Sequence, residues 1–198
     1  MAHLVEGQVR FAQGIKDARV DVAFFESAAC PPMLSPELFR EIELPSLKEI
    51  MTRIGEVVGH PVPCIIGGNT EPIVDAMLET GTSYLVCPFE TDQAAFMASV
   101  RHREDVRIRI NMDVRILAGG SWPQIKEEAD RVIGLSTGRK NVCVGTGALP
   151  YETPPAHVKR LLEYGAGRCS GGRKIAKGSV SCWAYWLKAE CRTRSGEW

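Results

Sequence analysis

Short apolar runs alternate with stretches of helical period along the first 164 residues. Five runs read as strands: 20–26 (VDVAFFE), 62–66 (VPCII), 84–87 (YLVC), 106–110 (VRIRI) and 141–144 (NVCV). They are continuous or only loosely alternating and are bounded by Gly, Pro and Asn, as parallel strands covered on both faces should be. The intervening helices carry clear punctuation. Ser35 before Pro36 reads as N-cap and N1, followed by Phe39, Ile42, Leu47, Ile50, Ile54 and Val57 at helical spacing. Pro45 should kink or split that helix, because it lacks a donor and clashes one turn back. Thr70 is positioned to cap a helix carrying Ile73, Val74, Met77 and Leu78 that stops at Gly81. Ser121-Trp-Pro-Gln124 reads as a capping box opening a helix over 123–135. Thr153-Pro-Pro opens a last helix that should end at Gly165.

Strands and helices alternate with no hairpin signal, which predicts an α/β fold with right-handed parallel crossovers. Either a doubly wound sheet or part of a (β/α)8 barrel satisfies that pattern. No GxGxxG follows the first strand and no GxxxxGK[ST] occurs, so dinucleotide and P-loop chemistry have no motif here. Gly67-Gly68-Asn69 and Gly145-Thr146-Gly147 instead sit at the ends of strands, where tight turns and ligand sites both favour glycine.

Composition narrows the class. The chain has 198 residues, 44% of them hydrophobic, with 24 Lys+Arg against 24 Asp+Glu. Those values fit an ordinary globular core and give no electrostatic case for nucleic acid or an anionic membrane. No apolar run approaches the roughly 20 residues of a membrane span. The opening MAHLVEGQVRFAQ lacks an apolar signal core, and free thiols are the default for the seven Cys, so a cytoplasmic protein is expected. The charge is uneven, however. Residues 165–198 hold seven Lys/Arg and two Asp/Glu, a net +5, leaving −5 for residues 1–164. That segment also carries six Gly, three of the four Trp and three of the seven Cys. A boundary between a folded body, 1–164, and a basic tail, 165–198, that lies outside the fold is therefore expected.

The body resembles the uroporphyrinogen decarboxylase superfamily, which also contains cobalamin-dependent methyltransferases. The resemblance spans about residues 4 to 164. It is carried by Phe25-Glu-Ser27 followed by Leu34-Ser-Pro-Glu-Leu-Phe39, and by Leu44-Pro45 within the helix. Gly68-Asn69-Thr70 then leads into Ala76-Met77-Leu78-Glu79-Thr80-Gly81. Glu90-Thr91-Asp92, Asn111-Met112-Asp113 and Gly145-Thr146-Gly147 with Thr153-Pro154-Pro155 complete the series. The resemblance implies a (β/α)8 barrel, of which this chain holds about the last five parallel strands. It also implies a lyase that decarboxylates a porphyrinogen in porphyrin and haem biosynthesis and needs no cofactor. Activity of this chain by itself stays open, because the family's N-terminal Arg-rich segment and early-strand Asp have no counterpart in this sequence.

Ser27 matches the family's substrate-contacting Ser, and Thr146 occupies the place of a pocket His in a Gly-His-Gly turn. Thr does not donate protons near neutral pH as His does. In the methyltransferase branch, a His-x-Cys and a later Cys hold zinc; the corresponding residues here are Ile65, Gly67 and Thr146. None is a zinc ligand, and Cys64 is expected to face the helices instead. No metal site is assigned.

The polar residues at strand ends would converge on one face of a barrel. Ser27, Asn69, Asn111, Asp113 and Thr146 are the candidate substrate-binding set, while Glu26, Glu90 and Asp92 share the same level. Crowded carboxylates there should push at least one pKa upward. Helix capping is the structural alternative for Asp92 and Asp113. The four His are expected to be solvated, and the body cysteines to be buried small apolar groups. Three functional readings remain open: a decarboxylase, a thiol- or cobalamin-dependent methyltransferase, and a non-catalytic half-barrel. The expected ligand is a small molecule, a tetrapyrrole or a methyl donor. A second chain completing the barrel, or a homodimer, is the expected protein partner.

Overall fold

The computed structural model describes residues 2–26 and 29–169, so Ser27 and the tail from residue 170 lie outside the described residues. All five expected strands form, each at or within its expected stretch or extended by two residues: β1 (Phe24–Glu26), β2 (Cys64–Ile66), β3 (Tyr84–Cys87), β4 (Arg107–Met112) and β5 (Val142–Thr146). Strands β1 and β2 pair in parallel, with Phe24 opposite Cys64 and Glu26 opposite Ile66. The second sheet has the order β3-β4-β5. Ser83 N–H donates to Val62 C=O at 3.2 Å, linking the segments that lead into β3 and β2. Neighbouring strands thus follow chain order without the reversal that a doubly wound sheet requires. This is an α/β fold of partial (β/α)8 barrel type. It falls into two compact units, Met1–Arg109 and Ile110–Trp198.

In the first unit, helix α1 (Ala2–Asp17) precedes β1 and packs on α3 (Leu44–Val58). No helix is predicted there from the sequence, where Gly7 and Gly14 weaken the pattern and only Val5 and Ala12 are fully buried. Ser35 caps the next helix as expected, accepting the Leu38 N–H at 3.2 Å. Short α2 (Pro36–Leu38) then widens into a π-helical turn, Phe39–Glu43, before α3. Pro45 splits the helix rather than kinking it. The Leu44 N–H reaches back five residues to Phe39 C=O, a wider turn that accommodates Pro45's missing donor and its ring. One extra residue in that turn rotates Ile42 out to 50% exposure, against the expectation, and places Phe39, Leu44, Leu47, Met51 and Ile54 in the core. Each such burial contributes about 1.5–3 kcal/mol. Gly59, at φ +89°, ends α3 in the left-handed conformation that glycine adopts without strain.

A 3-10 turn, Glu71–Ile73, leads into α4 (Val74–Glu79), and α5 (Gln93–Ser99) follows β3. Leu85, Phe96, Met97 and Ile108 fill the space beside them. In the second unit, α6 (Val114–Gly119), α7 (Trp122–Leu135) and α8 (Pro155–Cys169) bury Leu117, Ile125, Val132 and Leu161 together with Met112 and Val144. The capping residues before α7 act as predicted: Gln124 Oε1 accepts from the backbone N–H and the hydroxyl of Ser121, each at 2.8 Å. Helix α8 does not stop at Gly165 but continues to Cys169. A single glycine in a helix interior costs only about 1 kcal/mol, too little to end it without a cap.

Candidate functional site

The loops after β2 and β3 build a polar cluster in the first unit. Gly68 has φ +84°, and a Cβ placed on it would stand 2.7 Å from Cys30 Sγ. The turn therefore needs glycine twice over, for its backbone and for the thiol beneath it. Cys30 donates to Gly67 C=O at 2.9 Å and is buried. Burial raises its pKa, the Asn69 backbone N–H opposes that rise, and the Glu90 charge adds to it. The thiol stays protonated and pins the turn, a role beyond the small apolar filler expected of it.

Asn69 follows Gly68, and its Oδ1 accepts from the Thr91 hydroxyl at 3.0 Å. The same hydroxyl accepts the Glu71 N–H at 2.8 Å. Thr91 therefore fixes which way the Asn69 amide points, oxygen toward Thr91 and the NH2 donor away from it. It also supplies the cap expected from Thr70. Thr70 has helical backbone angles (φ −95°, ψ −9°) instead of the extended ones an N-cap needs, and makes no side-chain cap bond. Its hydroxyl is fully buried and has no partner among the described residues. Asp92 takes the capping alternative, accepting from Ala94 and Ala95 N–H at 3.1 and 3.0 Å.

Glu26 does not join this cluster. Phe24 and Glu26 share one face of β1, and Glu26 borders a small cavity with Gln8 and Phe11 of α1. Burial raises its pKa, and the Glu43 charge raises it further. Cys64 lies on the same helix-facing side as expected; burial and then the charges of Glu26 and Glu43 push its thiol up to about 12. The shift at Glu26 comes first from burial and then from Glu43, not from the gathering of strand-end carboxylates that was expected to cause one.

In the second unit, Asn111, Asp113 and Thr146 sit at the ends of β4 and β5. Asn111 is only 5% exposed, while Asp113 and Thr146 are half-buried. Asp113 caps α6 through the Arg115 N–H at 2.9 Å and pairs twice with the Arg115 guanidinium, at 3.0 and 2.7 Å. That bonding holds its pKa below the usual value and makes it an ionised acceptor instead of a proton donor. Glu128 was not anticipated. It is 7% exposed, accepts the Asp113 backbone N–H at 3.0 Å and is gripped by Arg131 at 2.7 and 2.8 Å. Lying fifteen residues along on α7, it reads in the sequence as one more surface carboxylate. His157 departs from the solvated expectation: its Nδ1 lies 2.9 Å from Leu117 C=O, so that nitrogen carries the proton.

The zinc-ligand places of the methyltransferase branch hold Ile65, Gly67 and Thr146. Ile and Gly offer no side-chain donor and Thr only a hard hydroxyl, so this set does not fit zinc. Among the described residues no three His, Cys, Asp or Glu gather as a metal site, and no helix is long and apolar enough to cross a membrane.

Comparison with known proteins follows the same lines. The profile of the uroporphyrinogen decarboxylase (URO-D) family matches residues 1–166. A relative, the uroporphyrinogen decarboxylase of Koribacter versatilis (strain Ellin345), is 26% identical over 133 residues. The match covers 66% of this chain and 36% of the relative, so the chain spans about a third of that protein's length.

Proposed function

This chain belongs to the uroporphyrinogen decarboxylase family, and from that premise we propose that it contributes part of a barrel that decarboxylates a porphyrinogen-type substrate. The ligand is a small, carboxylate-bearing tetrapyrrole. The observation that carries this reading is the Asn69–Thr91 pair at the strand ends. With its oxygen held by Thr91, the Asn69 amide offers NH2 to a carboxylate of the substrate. The buried Thr70 hydroxyl beside it, without a partner among the described residues, is a further group that a ligand or water would satisfy. Asn111, Asp113 and Thr146 of the second unit, and Ser27, are further candidates for ligand contact in this reading.

Loss of CO2 from a pyrrole side chain needs a proton delivered to carbon. Thr146 does not titrate in the required range, and Asp113 is held ionised by Arg115. The donor in this reading comes from the remainder of the barrel, so the isolated chain binds without turnover. The body (1–164) is the working part of the protein and the basic tail (165–198) is dispensable to it.

The test is an anaerobic assay with uroporphyrinogen, following CO2 and the less carboxylated products. The full chain is assayed alone and together with the part of the Koribacter relative that it does not match. Turnover by the pair, with KM raised about tenfold by Asn69→Ala, supports the proposal. Activity of a pair that ignores Asn69→Ala, or no binding of substrate by either preparation, refutes it.

A further inference from the structure

A cavity, an unpaired half-buried charge and two bare aromatic rings coincide in the first unit, between α1 and β1. The cavity measures about 140 Å³ and is walled by Phe11, Ala12, Ile15, Val22 and Phe24. An apolar cavity of roughly 150 Å³ is large enough to take a benzene ring. Phe11 and Phe25 border the space and are 67% and 62% exposed, so part of its apolar wall is left to solvent. The border residues are apolar except for Gln8 and Glu26, and Glu26 alone is charged.

Glu79, Asp113 and Glu128 are each paired with an arginine. Glu26 has no ion pair or hydrogen bond among the described residues. Burial and then the Glu43 charge raise its pKa, with no cation acting in the other direction. The same two charges raise the Cys64 thiol, so the negative potential extends through this side of β1. A half-buried carboxylate beside apolar walls loses hydration that nothing in the unit replaces. An ammonium group would replace it, and an apolar body attached to that group would cover the walls. An anion would be repelled, and a neutral ligand would leave the carboxylate unpaired.

We propose that this cavity binds a small primary amine with a compact apolar body about the size of a benzyl group. Its ammonium pairs with the Glu26 carboxylate, and its body lies against Phe11, Ile15, Val22 and Phe24. A free amine is the occupant in preference to a lysine side chain, whose thin stem would leave most of the walls uncovered. The inference uses the helical side of β1 and not the Asn69 cluster, so it stands or falls apart from the porphyrinogen reading.

The test titrates the full chain with benzylammonium chloride at pH 7 by calorimetry. Saturable one-to-one binding is expected, at least tenfold tighter than that of benzyl alcohol or of N-acetyl-lysine methylamide, with none by benzoate. Glu26→Gln removes the charge, and Gln8→Phe puts a ring into the same space from an exposed helix position. Each should weaken binding at least tenfold while keeping the far-ultraviolet circular dichroism of the parent. Glu56→Gln, at an exposed carboxylate outside the cavity, should leave binding unchanged. The comparison of ligands on the unaltered chain decides the matter even if a variant fails to fold. Absence of saturable binding, or benzyl alcohol binding as tightly as the amine, would overturn the proposal. So would equal binding of the lysine derivative, or affinity indifferent to both Glu26→Gln and Gln8→Phe.

Discussion

Thr91 holds Asn69 by a 3.0 Å hydrogen bond from a different loop, and the same hydroxyl caps the turn that begins at Glu71. One oxygen thus joins the ends of β2 and β3. Thr91→Val keeps the shape and removes both bonds, leaving the half-buried Glu71 N–H without its acceptor. The expected loss is about 1–3 kcal/mol. Thr91→Ser should retain most of that stability, and urea titration of both variants decides the point.

Gly68→Ala meets two obstacles, a positive φ and the Cys30 sulfur. Left-handed backbone alone costs an alanine about 1–2 kcal/mol. The sulfur contact adds to it, so Cys30→Ala in the same chain should recover part of the loss. Strictly additive effects in the four-member thermal unfolding cycle would show that the thiol does not crowd this turn.

Glu128→Ala deprives the Asp113 N–H of its acceptor and removes the Glu128–Arg131 ion pair. Because Glu128 is 7% exposed, a loss of about 2–3 kcal/mol is expected, against less for Glu128→Gln, which keeps an oxygen for the amide. Equal midpoints for the two variants in chemical denaturation would contradict this role.

Two carboxylates should act on stability with opposite sign. Asp113 has a folded pKa below its ordinary 3.8, so its pairing stabilises the protein above that pH and is lost as acid drives it through the lower value. Glu26 has a folded pKa above 4.5, so the fold is favoured while it is protonated and loses stability as pH rises through the raised value. Glu26→Gln should therefore raise the melting temperature at pH 7 and leave it unchanged at pH 4. Solvent screening of this partly exposed group keeps the gain under about 1 kcal/mol. A melting curve shifted equally at both pH values would contradict the assignment.

Much of the body is legible from local chemistry. Asp92 and Ser35 announce helix starts because a cap acts within three residues, and Pro45 announces a break because its ring does. Contacts that span the chain are not legible in this way. Thr91 caps a turn twenty residues earlier, Glu128 holds a backbone amide fifteen residues earlier, and neither leaves a periodic trace. Helix α1 is hidden by its own composition, since its apolar residues exceed what the rest of the first unit covers. Strand alternation already puts Glu26 on the face of Phe24 and opposite Phe25, but which of those faces meets the helices shows only in the packing of α1.

The wide turn from Phe39 to Glu43 works as a phase adjuster between two rigid segments. It absorbs one residue without disturbing either neighbour: upstream, the Ser35 cap keeps its geometry, and downstream, Leu47 and Ile54 keep theirs. The inward-facing positions of α3 therefore follow the register set after this stretch, not the one begun at the Ser35 cap.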